Sequence, residues 1–275
     1  MSILNTTPDS FSDGGSNSLD PESLRATAAA HIAAGATIID VGGQSSRPNA
    51  PDISAEEEIA RVLPAIAAIK SLPNYEGIAI SVDTYRAAVA EAAVNAGAHI
   101  VNDISAGMLD PDMLSAVARL GCTYVMMHMR GTPHTMQNPE NCVYPGGVRR
   151  RVRMELNHRT KAALHAGIRR WRIIHDLGIG FAKTQEQNLA LLDMGQRQNV
   201  MGRSTYVPHL VGTSRKRFIG NITGVDEPKD RVWGTAATVT AAICGGADIV
   251  RVHDVKEMAQ VAKMADAIYR RGTRS

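Results

Sequence analysis

The sequence predicts an α/β fold, a (β/α)8 TIM barrel built as a single domain over residues 1–275. Three observations carry that expectation. First, one phrase recurs: a helical stretch, a small-residue stop, then a short β-branched run. It is seen in AAGATIIDVGG (33–43), NAGAHIVNDIS (95–105), RLGCTYVMMH (119–128) and GGADIVRVHD (245–254). Glycine just past a helix supplies a left-handed C-cap, and an Ile/Val run suits a strand buried in a parallel sheet. Second, reading outward from these joints yields eight candidate strands separated by amphipathic stretches, which favours a barrel over an open doubly wound sheet. Third, 275 residues suit one barrel of about 250 residues, and no segment reads as a linker to a second domain.

The strands are expected near 1–5, 36–42, 77–83, 99–103, 122–128, 171–176, 207–213 and 247–253. The first is the apolar stub Met1 to Leu4, and the polar run NTTPDSFSDGG behind it is the first strand-to-helix loop. A chain that opens inside its first strand is expected to be a domain cut from a longer polypeptide. After strand three, Val89, Ala92, Ala93 and Ala96 share one helical face over 86–97. The segment MRGTPHTMQNPENCVYPGG (129–147) has two Pro-containing turns and a Gly pair, and reads as a long loop after strand five. The run VRRRVR (148–153) suggests nucleic acid at first sight, but fits better as the solvated start of a helix. Over 255–269, Val255, Met258, Ala259, Ala262, Ala265 and Tyr269 follow one helical face.

Hydrophobic residues at 44% and charged residues at 21% describe an ordinary globular chain. A net charge of +3 suits an anionic substrate and is too small to argue for nucleic acid. Cys122, Cys142 and Cys244 form no CxxC pair, so buried, reduced thiols are expected. No apolar run approaches the roughly 20 residues of a membrane span, and no signal or transit peptide is visible.

Chemistry in such a barrel sits at the C-terminal ends of the strands. These ends carry Asn5, Asp40, Asp83, Asn102 with Asp103, His128, Asp176, GTSRK (212–216) and RVH (251–253). By period two, Arg251 and His253 share a face with Ile249, Asp83 with Ser81, and Asn102 with Ile100. Asp40 and Asp103 also fit a plainer role as helix N-caps. The rim divides into an acid and amide set (Asp83, Asn102, Asp176) and a basic set (Arg47, Arg215, Lys216, Arg251, His253). Arg and His at i and i+2 make a two-pronged clamp for a phosphorylated group. The VGTSRK turn has the character of an anion-binding nest. The acid set suits a flat heterocycle rich in N–H donors, since a carboxylate accepts two parallel hydrogen bonds from such an edge.

The segments SILNTTPDSFSDGG (2–15), IIDVGGQSSRPNA (38–50), SVDTYR (81–86), NDIS (102–105), MHMRGTP (127–133), GIGFAKT (178–184), LVGTSRKRFIG (210–220) and DIVRVHDV (248–255) resemble, in family order and across the whole chain, dihydropteroate synthase of folate biosynthesis. GIGFAKTQEQNL and WGTAATVTAAICGGADIVRVHDV resemble fungal versions, where the synthase is the last part of a multifunctional folate-pathway polypeptide. The resemblance implies a transferase, and a sulfonamide target, that joins 6-hydroxymethyl-7,8-dihydropterin diphosphate to p-aminobenzoate and releases diphosphate. It implies that Asp83, Asn102, Asp176 and Lys216 hold the pterin. Asn5, Ser46, Arg47, Arg251 and His253 would hold the diphosphate, with Mg²⁺ at Asn5. Ser46, Pro48 and Lys216 would form the p-aminobenzoate pocket, and Lys216, Asp13, Phe11 and Arg47 would serve the reaction directly. Departure of diphosphate leaves a pterin methylene cation, which the aniline nitrogen attacks; Asp13 would offset the cation and Phe11 exclude water.

Three positions depart from the family pattern: Ser46 replaces the usual Thr, Leu177 the usual Pro and Thr6 the usual Val. They bear on pocket shape, since none removes a charged group. Rival readings are a methyltetrahydrofolate-binding methyltransferase-type pterin domain, a phosphosugar barrel enzyme and a catalytically silent pterin-binding paralogue. The first has no need of Asn5, SSRP and RVH together, and the second no need of Asp83, Asn102 and Asp176 together. A homodimer, covalently linked folate-pathway neighbours, no nucleic acid and an intracellular location, cytoplasmic or mitochondrial, are expected.

Overall fold

The computed structural model describes residues 1–7, 20–45, 51–73, 75–193 and 207–270. Eight parallel strands form one curled sheet of the TIM-barrel type, with neighbours in sequence order. They are β1 Ser2–Asn5, β2 Ile38–Gly42, β3 Ala79–Asp83, β4 Ile100–Asp103, β5 Thr123–Met127, β6 Ile173–Asp176, β7 His209–Val211 and β8 Ile249–Val250. Each lies where the joints placed it, within two residues at its start. The last is shorter than expected, because its ladder to β7 spans only the pairs Leu210–Ile249 and Val211–Val250. Beyond it the chain turns to the first strand. Ser2 bridges Val252 in parallel, and the Ile3 N–H donates to the Val252 carbonyl at 3.1 Å.

Helices α1 Pro21–Ala33, α2 Ala55–Lys70, α3 Ala87–Ala96, α4 Met113–Leu120, α5 Val148–His165, α6 Gln185–Leu192, α7 Arg217–Thr223, α8 Val232–Cys244 and α9 Val255–Tyr269 alternate with the strands among the described residues. Local chemistry starts and stops them. The Asp20 carboxylate accepts the Ser23 N–H at 2.9 Å with Pro21 at the first turn of α1, and Thr184 and Gln187 form a capping box on α6. Gly97 and Gly121 take the left-handed C-cap conformation after α3 and α4. In α5, Val148, Val152 and Leu156 are buried and Arg149 and Arg150 face outward, so the basic run is the solvated start of a helix. In α9, Val255, Met258 and Ala265 are buried, but Tyr269 is 50% exposed at the last turn and leaves the expected face.

The two strand faces carry different chemistry because side chains alternate. The outward face supplies Ile39, Val41, Ile80, Val82, Tyr124 and Met126 to the core shared with α1 to α5. Each fully buried aliphatic side chain there contributes about 1.5–3 kcal/mol. The inward face begins with an apolar plug of Ile100, Val125, Ile174 and Leu210. Two residues further along β4 and β6 it turns polar, at Asn102 and Asp176. All three cysteines are free, and Cys244 is exposed rather than buried. No helix among the described residues is long and apolar enough to cross a membrane.

Candidate functional site

Register places the inward polar residues in rows. Asn5 lies opposite Gly42, Gly42 opposite Asp83, and Asp83 opposite Asn102; one layer below, Asp40 lies opposite Ser81. The Arg251 guanidinium crosses to this group. Its Nε donates to Asp40 Oδ2 at 2.6 Å and its Nη2 to Asp83 Oδ2 at 2.7 Å, while the Asn102 amide donates to Asp40 Oδ2 at 3.0 Å. The expected separation into an acid half and a basic half therefore does not hold. Two carboxylates this close together, Asp40 fully buried and Asp83 half-buried, need a counter-ion, and Arg251 supplies it. Nor is Asp40 a helix cap: it is fully buried inside the sheet. Burial pushes the Asp83 carboxyl up to about 7, against the opposing pull of Arg251. Asp40 Oδ1 and Ser81 Oγ are buried without a hydrogen-bond partner among the described residues. Such atoms mark where a ligand's polar groups are wanted.

The loop after β6 forms the next wall. Asp176 Oδ1 accepts the Gly178 N–H at 2.8 Å, and burial raises the Asp176 carboxyl while Lys216 and then that N–H oppose. Lys216, just before α7, donates its Nζ to the Ile179 carbonyl and lies 4.9 Å over the Phe181 ring. Burial pulls its ammonium down to about 8, while Asp176 holds it up. Lys216 and Asp176 thus face each other across a loop whose backbone both of them grip.

His253 meets Ser214, whose Oγ accepts the His253 N–H at 3.1 Å and lies 3.0 Å from its Nδ1. Arg215 is drawn away from the rim: its guanidinium donates to both Asp254 oxygens, at 3.1 and 2.5 Å. The proposed nest at VGTSRK is partly used internally, since the Arg215 and Lys216 N–H groups go to Thr235 Oγ1 and the Thr213 carbonyl. A Cβ on Gly42 would sit 3.4 Å from Asn5 Oδ1 and 3.9 Å from Asp83 Oδ2, so the absent side chain leaves an opening between the two. Asp103 ties down its own loop instead of a helix, accepting from Ser105, Gly107 and the Tyr124 hydroxyl. Phe11, Asp13, Ser46, Arg47 and Pro48 lie outside the described residues.

Comparison with known proteins closes the question of kinship. Residues 1–253 match the model of the family described as pterin binding enzyme. The chain belongs to that family. It is 49% identical over 98% of its length to the folic acid synthesis protein fol1 of Pneumocystis carinii, of which it spans 36%. It is 47% identical over 98% of its length to the dihydropteroate synthase of Synechocystis sp., spanning 90% of that protein. Among solved structures, FolP (dihydropteroate synthase) from Clostridium difficile, crystallised in the presence of pteroic acid, superposes with a TM-score of 0.86. That likeness has 38% identity and covers 98% of this chain and 96% of that one. The resemblance read from the motifs is borne out.

In this pterin-binding enzyme the departures at positions 6 and 177 have plain structural homes. Thr6 is fully buried with its hydroxyl donating to the Gly42 carbonyl at 3.1 Å, and Leu177 packs with Tyr144, Val148 and Ile179. Sequence reasoning passed over a polar cluster behind the β6 loop. Lys183 is buried with its Nζ 2.8 Å from the Phe181 carbonyl, 2.9 Å from the Gly178 carbonyl and 3.1 Å from His128 Nδ1. His128 Nε2 in turn lies 2.9 Å from Glu155 Oε2, and Arg130 pairs with the same carboxylate. The available signal was a lysine directly after a glycine-rich strand-end loop, in GIGFAKT.

Proposed function

We propose that this chain carries out the dihydropteroate synthase reaction, joining 6-hydroxymethyl-7,8-dihydropterin diphosphate to p-aminobenzoate in folate biosynthesis. One observation carries the reading: at the C-terminal ends of the strands, three inward carboxylates (Asp40, Asp83, Asp176) and the Asn102 amide gather around two cations, Lys216 and Arg251. That set matches a heterocycle with several N–H donors and an anionic arm. Asp83 and Asp176 accept from the pterin edge, Asn102 orients it, and Lys216 donates to its carbonyl side. Arg251 and His253 receive the diphosphate. As the methylene C–O bond breaks, diphosphate leaves with the bond's electron pair. The aniline nitrogen then forms the C–N bond and sheds a proton. Phe11 and Asp13, with Ser46, Arg47 and Pro48, complete the pocket for p-aminobenzoate in this reading.

Asn5 fits a Mg²⁺ ligand. Its amide oxygen is a hard donor at a strand end beside the Gly42 opening, and Mg²⁺ typically takes one or two protein ligands with phosphate oxygens and water. Bound there, Mg²⁺ would neutralise charge on the leaving diphosphate. Among the described residues no three His, Cys, Asp or Glu side chains converge to hold a metal. The bridge from Ser2 to Val252 supports a closed (β/α)8 barrel, one domain over residues 1–275. The fraction of the Pneumocystis protein that is spanned supports covalently linked neighbours in the natural polypeptide. A homodimer, cytoplasmic or mitochondrial, completes the reading.

Diphosphate release, followed with and without p-aminobenzoate, tests the function. Sustained release only with p-aminobenzoate is expected. A methyltransferase-type domain, a phosphosugar enzyme or a silent paralogue releases none, and that result would overturn the proposal.

A further inference from the structure

The loop from Gly178 to Ala182 holds the pterin site on its front and is itself held from behind. On the front, Gly178 N–H donates to Asp176, the Ile179 carbonyl accepts Lys216 Nζ, and the Phe181 ring lies under that ammonium. None of this geometry is intrinsic to the segment. Gly178, Gly180 and Ala182 all have positive φ (65°, 84° and 50°), and for alanine such a conformation persists only when its surroundings impose it. The backbone also runs hard against its neighbour, because a Cβ on Gly178 would lie 1.9 Å from the His128 carbonyl oxygen.

One buried amine grips the loop from behind. An ammonium has three donors and no acceptor. Those of Lys183 point at the Phe181 carbonyl, the Gly178 carbonyl and His128 Nδ1, with the His128 carbonyl further off at 3.4 Å. No carboxylate touches Lys183 among the described residues; its partners are backbone oxygens of the loop and a ring nitrogen. His128 is fixed in turn, since Nδ1 accepts from Lys183 and Nε2–H donates to Glu155. Burial and the nearby Lys183 both pull His128 down to about 4, which keeps that acceptor bare at neutral pH. A second tether ends on the same loop, where the Tyr144 hydroxyl donates to the Ala182 carbonyl at 2.8 Å. The Tyr144 ring is stacked by Arg130, whose charge is anchored on Glu155. Both tethers therefore lead back to one carboxylate on α5.

We propose that Lys183 is a positioning residue of the pterin site: from behind the sheet end it sets the Gly178–Ala182 loop, and through it the places of Lys216 and the Phe181 ring. A lysine serving only the stability of the fold needs no loop acceptors of this kind. Here the donors are aimed at the two carbonyls that bracket the segment gripping Lys216. Methionine in its place keeps the length and apolar stem and removes every donor.

The inference rests on the pterin reading above, and the experiment separates their failures. Native protein, Lys183→Met, Tyr144→Phe and Asp176→Asn are compared by calorimetric titration with 6-hydroxymethylpterin, by turnover of its dihydro diphosphate, and by near-ultraviolet circular dichroism to count folded molecules. Per folded molecule, Lys183→Met is expected to bind pterin at least tenfold more weakly and to lose at least tenfold in kcat, and Tyr144→Phe to lose two- to fivefold in affinity. Native pterin affinity and kcat in folded Lys183→Met, with Asp176→Asn impaired, overturn the inference alone. Native affinity in Asp176→Asn as well overturns the pterin reading and the inference with it. Should Lys183→Met fail to fold, Tyr144→Phe decides: weakened binding supports the tether, and unchanged binding overturns it.

Discussion

Arg251 shows how much a single side chain can be asked to do. Besides the diphosphate-binding role proposed for it, it neutralises Asp40 and Asp83, two inward carboxylates of adjacent strands. Removing one partner of such a cluster leaves uncompensated buried charge, which costs about 3 kcal/mol or more. Arg251→Ala is therefore expected to lower the free energy of unfolding by about that amount in urea titration. It is also expected to weaken binding of a bare pterin along with diphosphate; loss confined to diphosphate would show that Arg251 does not order the acceptors. A second prediction concerns protons. In the proposed pterin site Asp83 accepts best as a carboxylate, and Lys216 donates most strongly as an ammonium. Their values of about 7 and about 8 give pterin affinity a narrow maximum between them. Affinity falls below that window as Asp83 protonates and above it as Lys216 deprotonates. Titration calorimetry across pH 5.5–9.5, roughly one and a half pH units beyond each limb, checks this, with Asp83→Asn expected to flatten the acid limb.

At the scale of an element, the loop after β6 is the part most exposed to small changes. Gly178 has φ +65° and presses its α-carbon side against the His128 carbonyl, so a methyl group cannot be accommodated without moving one backbone from another. Gly178→Ala is expected to cost about 3 kcal/mol or more. For a chain of this size that is a fall in melting temperature of about 6 °C or more. Melting at the native temperature would mean that the loop slides off His128 freely, contrary to the packing described. The strand that feeds the loop carries a separate titrating group. His175 is buried between β6 and α5, with its Nε2 2.7 Å from Thr160 Oγ1 and its Nδ1 without a partner among the described residues. Thr160 spends its own proton on the Leu156 carbonyl, so the ring is the Nε2–H tautomer, a donor to Thr160.

For the whole molecule, protons bound on unfolding set the dependence of stability on pH. Burial pulls His175 down to about 3, so its contribution to stability is fully present above pH 6.5 and is lost as pH falls toward 3. Asp83 acts in the opposite sense. Raised to about 7, it contributes stability that is complete below its ordinary value near 4 and lost as pH rises through 7. The two partly cancel in the native protein, and a variant separates them. Relative to His175→Asn, native protein is expected to lose about 2 kcal/mol between pH 7 and pH 5, from about 1.4 kcal/mol per pH unit below 6.5. Urea unfolding at the two pH values measures this, and a constant difference between the proteins would mean that His175 protonates freely in the fold.

The order of elements, the parallel sheet and the inward set Asp83, Asn102, Asp176 and Arg251 were legible in the chain itself. Helix caps, β-branched runs and period-two alternation are local, and each recurs at every joint. The family was legible for the same reason, because motifs at strand ends are contiguous in sequence. Which charges face one another was not. Asp40 and Arg251 are 211 residues apart and Lys183 and His128 are 55 apart, and they meet only through strand register and the curl of the sheet. The basic side chain thus pairs with carboxylates across the sheet, and Asp40, for which a helix cap was one open alternative, is a buried acceptor. Local sequence specifies which face of a strand a residue occupies. Desolvation, which makes a buried charge seek whatever partner the curl of the sheet brings within reach, decides what that residue touches.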